Sequence, residues 1–167
     1  MLGRGLSAAA IVVLLDQVSK RALLLHFNEV GCAAHHQTVT PFLDLVLTCN
    51  SGVSFGILNQ TGVNSLLFTV AAAAIVVVLI VWLWRIRATF LAIAIGLIIG
   101  GATGNVIDRL RFGAVVDFLY FHAGAWYWPA FNLADSAICL GVAAMLLDGL
   151  LLRPPAPPAK GSEDLLP

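Results

Sequence analysis

The sequence predicts an all-α integral membrane protein with four transmembrane helices and a short β-rich segment at the outer surface. Three observations carry this. The chain is 60% hydrophobic and only 11% charged, whereas a soluble domain usually carries about 25% charged residues. A globule of 167 residues has no means of hiding so much apolar surface from water, so lipid is the expected solvent. Four segments are long and apolar enough to span, since a span needs about 20 mostly apolar residues. Between the first two lies a stretch rich in β-branched and large apolar residues, "TVTPFLDLVLT".

The first span covers residues 5–25 and is interrupted by Asp16, Lys20 and Arg21. Its length and its charges distinguish it from the apolar region of a cleavable signal peptide, so none is expected. The second, 63–84, holds no charge; the third is 88–107. The fourth, 132–152, has Asp135 near its start and Asp148 near its end. Arg4, Arg85, Arg87, Arg153 and Lys160 fall on one side of this arrangement, which favours both termini inside. Trp126, Tyr127 and Trp128 precede the fourth span as an interfacial anchor. Residues 26–62 and 108–131 then lie outside, and 38–48 forms one or two short strands at the membrane surface. The four spans make one domain, 1–152. The Pro-rich tail, 153–167, is expected to be cytoplasmic and disordered or extended.

A net charge of zero gives no basic face for nucleic acid. Cys32, Cys49 and Cys139 show neither a CxxC motif nor a paired framework. His26, His35, His36 and His122 are irregularly spaced, and no metal site or cofactor is expected. Ser54 has no neighbouring histidine in sequence, so it is a poor nucleophile candidate.

Charge within a membrane is costly and is usually functional or paired. Asp16 and Lys20 stand at i and i+4, on one helix face, and can form an ion pair. Gly96, Gly100 and Gly104 repeat every fourth residue and let another helix approach closely. Asn105, Asp108 and Arg109 follow at the outer end of that helix, with Asn105 and Arg109 on one face. Asn132 and Asp135 have the spacing of a capping box. A cap alone leaves Asp117 unexplained, a carboxylate inside the apolar run "AVVDFLYF". If the loop between Asp117 and Asp135 folds back, the two carboxyls can share one proton. The ionised one would deprotonate water and the neutral one polarise a carbonyl. The same two acids, with Asp16 and Lys20, would equally serve as a proton relay in a small transporter. Clustering of acids on one side and the absence of a repeat weigh against that.

Five motifs in order, "DQVSK", "NSGVSFGIL", "GGATGNVIDR", "VVDF" and "FNLADSAI", make the chain resemble the lipoprotein signal peptidases (signal peptidase II), over residues 2–152. The resemblance implies a four-transmembrane-helix bundle with a small β-rich extracytoplasmic element, in the bacterial cytoplasmic (inner) membrane. It implies a monomeric aspartic endopeptidase, free of cofactor and metal, with its active site at the extracytoplasmic face. The substrate is a diacylglyceryl prolipoprotein lying in membrane lipid, cut just before its lipidated cysteine, and globomycin-type inhibitors occupy the site. By match, Asp117 and Asp135 are the catalytic dyad. Asn50, Gly52, Asn105, Asp108, Arg109 and Asn132 support the dyad or contact substrate, and Asp16 and Lys20 form a structural ion pair.

Overall fold

The structure, a computed structural model, describes residues 1–31, 33–51 and 62–152. Four long helices alternate with a small antiparallel sheet. Helix α1 (Leu2–His26) is followed by strands β1 (His35–Thr40) and β2 (Leu43–Asn50). Helices α2 (Gly62–Arg85) and α3 (Thr89–Phe112) come next, then β3 (Val115–Ala123) and β4 (Trp126–Tyr127). Helix α4 (Leu133–Leu147) ends in a π-helical turn, Asp148–Leu152. The sheet order is β1-β2-β3-β4, so β2 and β3 pair although two helices separate them in sequence.

Three of the four helices are long and apolar enough to cross a membrane: Ser65–Arg85, Thr89–Phe112 and Leu133–Leu150. Helix α1 has the length but carries Arg4, Asp16, Lys20 and Arg21. Its outward side is still apolar, with Ile11, Leu14, Leu15 and Val18 exposed. Asp16 and Lys20 are turned inward and buried. The expectation of four apolar spans is thus met by three; α1 buries Asp16 and Lys20 within the protein, while Arg4 and Arg21 are exposed.

Helix α3 is the hub. It packs against α1, α2 and α4, and 67% of its most apolar stretch is buried, against 11% for α2 and 22% for α4. Its small residues explain this. A Cβ on Gly100 would lie 2.6 Å from the Ala9 carbonyl of α1, and one on Gly104 would lie 2.5 Å from the Asp16 carboxylate. Gly141 of α4 meets the Ala94 carbonyl of α3 in the same way, at 2.6 Å. Lipid tails are as apolar as leucine, so close backbone approach is what holds such helices together. An inner apolar core forms around Leu83, Leu91, Ile95 and Ile99. A second, around Leu24, Leu47 and Val116, fixes the sheet to the end of α1.

The third helix is longer than the sequence predicts, ending at Phe112 rather than 107. Gly113 stops it, with φ 75° and its N–H bonded to the Arg109 carbonyl. That left-handed residue is the usual terminator of a helix. Strand β3 was read from sequence only as part of an outer loop. Its first four residues are all buried, so the alternation that marks a half-exposed strand is absent.

Replacing Gly100 by Val should lower the unfolding temperature in detergent, with a loss of roughly 1–3 kcal/mol from overpacking. A Cβ at Gly3 meets nothing within 4 Å, so Gly3→Ala should leave the melting curve unmoved. Equal melting of both variants would show that α1 and α3 do not depend on this approach.

Candidate active site

The last turns of α3, the start of β3, the start of α4 and the outer half of α1 meet at one end of the bundle. Asp117, third residue of β3, is 3% exposed. Its Oδ1 accepts from Asn132 Nδ2 at 2.7 Å, and the Asn50 side chain at the end of β2 hydrogen-bonds to it as well. Asp135 lies in the first turn of α4. Its Oδ1 accepts from Asn105 Nδ2 at 2.8 Å, and its Oδ2 accepts from the Asn132 backbone N–H at 3.2 Å. The Asn132 Oδ1 in turn accepts from Asp135 N–H at 2.9 Å, which completes the capping box.

Asn132 therefore caps α4 and joins the two carboxyls. It is fully buried, and its Nδ2 also lies 3.2 Å from the Val116 carbonyl and 3.3 Å from Asn105 Oδ1. Asp117 and Asp135 line one cavity of about 650 Å³, which Asn50, Trp128 and Phe131 also wall. Burial pushes the Asp117 carboxyl up to about 7, and the neighbouring Asp135 charge adds to this. Hydrogen bonds from Asn50 and Asn132 and the Lys20 charge offset part of the rise. A carboxyl in this range can hold or release a proton near neutral pH.

Behind the pair sits a buried ion cluster. Lys20 Nζ is 2.8 Å from Asp16 Oδ2 and 2.7 Å from Asp108 Oδ2. Asp16 Oδ1 accepts the Ala134 N–H at 3.0 Å, and Asp108 Oδ2 accepts the Val116 N–H at 3.2 Å. Ala134 and Val116 immediately precede Asp135 and Asp117. Sequence spacing paired Lys20 with Asp16; it gave no signal that Asp108 shares the same lysine. Arg109, one turn beyond Asn105 on α3, holds its guanidinium 6.0 Å over the Phe68 ring.

Of the residues singled out from sequence, Asn50, Asn105, Asn132, Asp117 and Asp135 come together, and Asp16, Lys20 and Asp108 lie directly behind. Gly52 falls outside the described residues. The paired histidines separate onto opposite sides of β1: His35 contacts Glu29 and stacks on Phe27, while His36 reaches Asp44. Asp44 also lies 3.2 Å from His122 on β3. Its burial alone would raise the carboxyl, but hydrogen bonds from His36 and Thr38 and the nearby His122 ring outweigh this and hold it below the usual range. Among the described residues no group of three or more histidine, cysteine or acidic side chains is arranged for a metal. The sequence leaves cysteine pairing open; in the structure Cys49 is disulfide-bonded, whereas Cys139 is free and exposed. Spacing cannot reveal a bridge that depends on the fold bringing two thiols together.

Fold and site define an integral membrane protein with two carboxyls in a cavity at one end of its helices. A family model described as signal peptidase (SPase) II matches residues 8–151. A lipoprotein signal peptidase of Methylorubrum extorquens is 44% identical over 92% of this chain and 89% of its own length. Another, from Azoarcus sp. (strain BH72), is 49% identical over 83% of this chain and 77% of its own. A bacterial membrane enzyme solved by the in meso method at 2.3 Å resolution superposes with a TM-score of 0.72 at 28% identity, covering 93% of this chain and 94% of that one. The chain belongs to the signal peptidase II family, the lipoprotein signal peptidases.

Two outcomes test the site as built. Carboxyl ¹³C NMR should find one aspartate titrating near pH 7, assigned to Asp117 by its loss in Asp117→Asn. Asn50→Ala removes a donor that favours the charged form, so this titration should move to higher pH; a downward move would contradict the arrangement. Lys20→Met should destabilise the protein by roughly 3–5 kcal/mol, because it strands two buried carboxylates. Adding Asp16→Asn and Asp108→Asn to it should restore part of the loss. Additive losses would mean that the three groups do not act as one cluster.

Proposed function

We propose that this chain is an aspartic endopeptidase that removes signal peptides from diacylglyceryl-modified prolipoproteins, cutting just before the lipidated cysteine, with Asp117 and Asp135 as its catalytic dyad. One observation carries the reading. Two carboxyls reach a single cavity from a strand and a helix, joined by Asn132, and burial pushes one of them, Asp117, up to about 7. A pair that shares one proton offers a base and an acid together, and it titrates as a pair.

The ionised member takes a proton from water, whose oxygen attacks the scissile carbonyl carbon. The protonated member donates to the carbonyl oxygen as charge develops there. When the C–N bond breaks, the proton taken from water passes to the leaving amine. Asn50, Asn105 and Asn132 keep the carboxyls in place by amide hydrogen bonds, so little reorganisation accompanies the reaction. No side chain forms a covalent intermediate. Both acids come from one copy of the chain, so a monomer suffices.

The chain resides in the bacterial inner membrane, with residues 1–152 as its peptidase domain and 153–167 as a cytoplasmic tail. Both termini face the cytoplasm, with Arg4, Arg85 and Arg87 on that side, and α1 is the fourth span. The dyad then lies at the extracytoplasmic boundary, and exposed Trp126, Tyr127 and Trp128 occupy the interface. The sheet lies beside the cavity, so an extended peptide can run along it. A globomycin-type peptide would compete for the same cavity.

Asp117→Asn and Asp135→Asn should each lower kcat by roughly 10²-fold or more with insertion intact. Asp108→Asn should retain more activity than either. Cleavage of a lipidated precursor by the purified protein is the assay, and wild-type turnover in either dyad variant would sink the assignment. The same precursor without its diacylglyceryl group should be a poor substrate, since each buried CH₂ contributes about 0.8 kcal/mol to membrane anchoring.

A further inference from the structure

Asn50 is the last residue of β2 and the donor that reaches Asp117 from that strand. Its place in the sheet explains the reach. Thr48 pairs with Asp117 and Asn50 with Val115, so Asn50 and Asp117 are diagonal neighbours on one face of the sheet. Asn50 also lines the cavity that holds both carboxyls. The end of a strand is its least secured part, because termini fray. Here the ladder is interrupted as well. The register between β2 and β3 shifts between Leu45 and Thr48, so only Thr48, Cys49 and Asn50 pair with β3 beyond the irregularity.

Cys49 stands immediately before Asn50 and is disulfide-bonded. Side chains alternate along a strand, so the bridge lies on the face opposite to Asn50 and the dyad. Cys139 is free, and the sequence leaves Cys32, ahead of β1, as the other half. A bridge between these positions ties the end of β2 to the chain that enters the β1–β2 hairpin. It restrains the strand where its ladder is shortest. Disulfides persist in oxidising compartments, which agrees with the extracytoplasmic placement of the sheet proposed above.

We propose that the disulfide at Cys49 positions the dyad: by anchoring the end of β2 it keeps the Asn50 amide on Asp117, and so sets where the pair gives up its shared proton. Its consequence for cleavage rests on the peptidase reading above; the hold on Asn50 does not. The sign follows from the donor. An amide N–H favours the charged carboxylate, and Asn50 offsets part of the rise that burial imposes on Asp117. Once the bridge is broken and the amide drifts, Asp117 keeps its proton to higher pH. In the dyad Asp117 holds the proton and Asp135 is ionised, so activity is lost as pH rises through the Asp117 titration. The alkaline limb of the pH profile therefore moves up when the bridge is broken. A bridge that merely stabilised the fold would change activity alike at every pH.

The test uses the full chain in detergent. Alkylation of the denatured protein should add one maleimide, at Cys139, and three after treatment with a trialkylphosphine. The phosphine supplies two electrons and becomes its oxide, taking oxygen from water, whose two protons complete the thiols. Three adducts without phosphine would remove the bridge and the proposal with it. In the folded protein, carboxyl ¹³C NMR should show the Asp117 titration moving up by about one pH unit on reduction, a roughly tenfold change in proton affinity. Cys49→Ser should do the same, and should add nothing in Asn50→Ala, where the amide is already gone. An unmoved titration, or additive shifts in the double variant, would overturn the proposal. The alkaline limb of kcat/KM for a lipidated precursor should follow the titration, and reoxidation with oxidised glutathione should return both. A loss equal at every pH, or one that reoxidation leaves in place, would make the bridge a staple of the fold and nothing more. If Cys49→Ser does not fold, the reduced wild type decides. If the wild type cleaves no lipidated precursor, the peptidase reading fails, while the Asp117 titration still reports whether the bridge holds Asn50.

Discussion

One ammonium group governs the geometry of the site. Lys20 draws Asp16 and Asp108 to within 2.8 and 2.7 Å, and each carboxylate uses its remaining capacity on the backbone. Asp16 takes the N–H before Asp135, and Asp108 takes the N–H before Asp117. Two carboxylates on one cation leave an excess negative charge in a buried place. Gln17 offsets part of it, with its Nε2 3.2 Å from Asp16 Oδ2 and 3.0 Å from Asp108 Oδ1. A buried ion cluster is a weak source of stability, because desolvation consumes much of the attraction. Its use here is geometric. Strand β3 and helix α4 both lie far from α1 in sequence, and the cluster fixes the main chain of both relative to it.

That arrangement requires α1 to lie unusually close to α3. Gly104 is the decisive residue, since a Cβ there would occupy the space of the Asp16 carboxylate. The glycine stripe thus does more than pack two helices. It opens the slot through which a charge on α1 reaches the start of α4. The cost of burying charge on α1 is met locally, because Asp16, Lys20 and Asp108 bond to one another, to Gln17 and Asn105 and to the backbone. Asn132 then repeats the device one layer further out, with a cap, a carboxyl link and a contact to Asn105 from a single amide.

Much of this was legible in the sequence, for reasons that can be named. Membrane spans are long and hydropathy is additive, so the three apolar helices and the length of α1 were readable. Asp117 and Asp135 were conspicuous because charge is rare in this chain, and the i,i+4 spacing of Asp16 and Lys20 fixes a shared helix face. Strand β3 was not readable, because burial on both sides erases its alternation. The end of α3 was misplaced by five residues although Gly113 offered a local stop signal. Asp108's bond to Lys20, the reach of His36 and His122 to Asp44, and the disulfide at Cys49 depend on contacts across the fold. No local pattern encodes them.

Two cavities of different chemistry flank helix α4. The larger is lined by carboxyls, amides and aromatic side chains, and suits a peptide bond together with water. The smaller, about 320 Å³ between α2, α3 and α4, is lined by alanine, isoleucine and phenylalanine and ends at Asn105 and Arg109. Helix α4 separates them, presenting Asp135, Ser136, Cys139 and Leu140 to one side and Ile138 to the other. The capping box holds the first turn of this helix rigid, and Asp16 holds it to α1. The residue that ends the loop and starts the helix, Asn132, is therefore the point where backbone geometry and the proposed dyad are tied together.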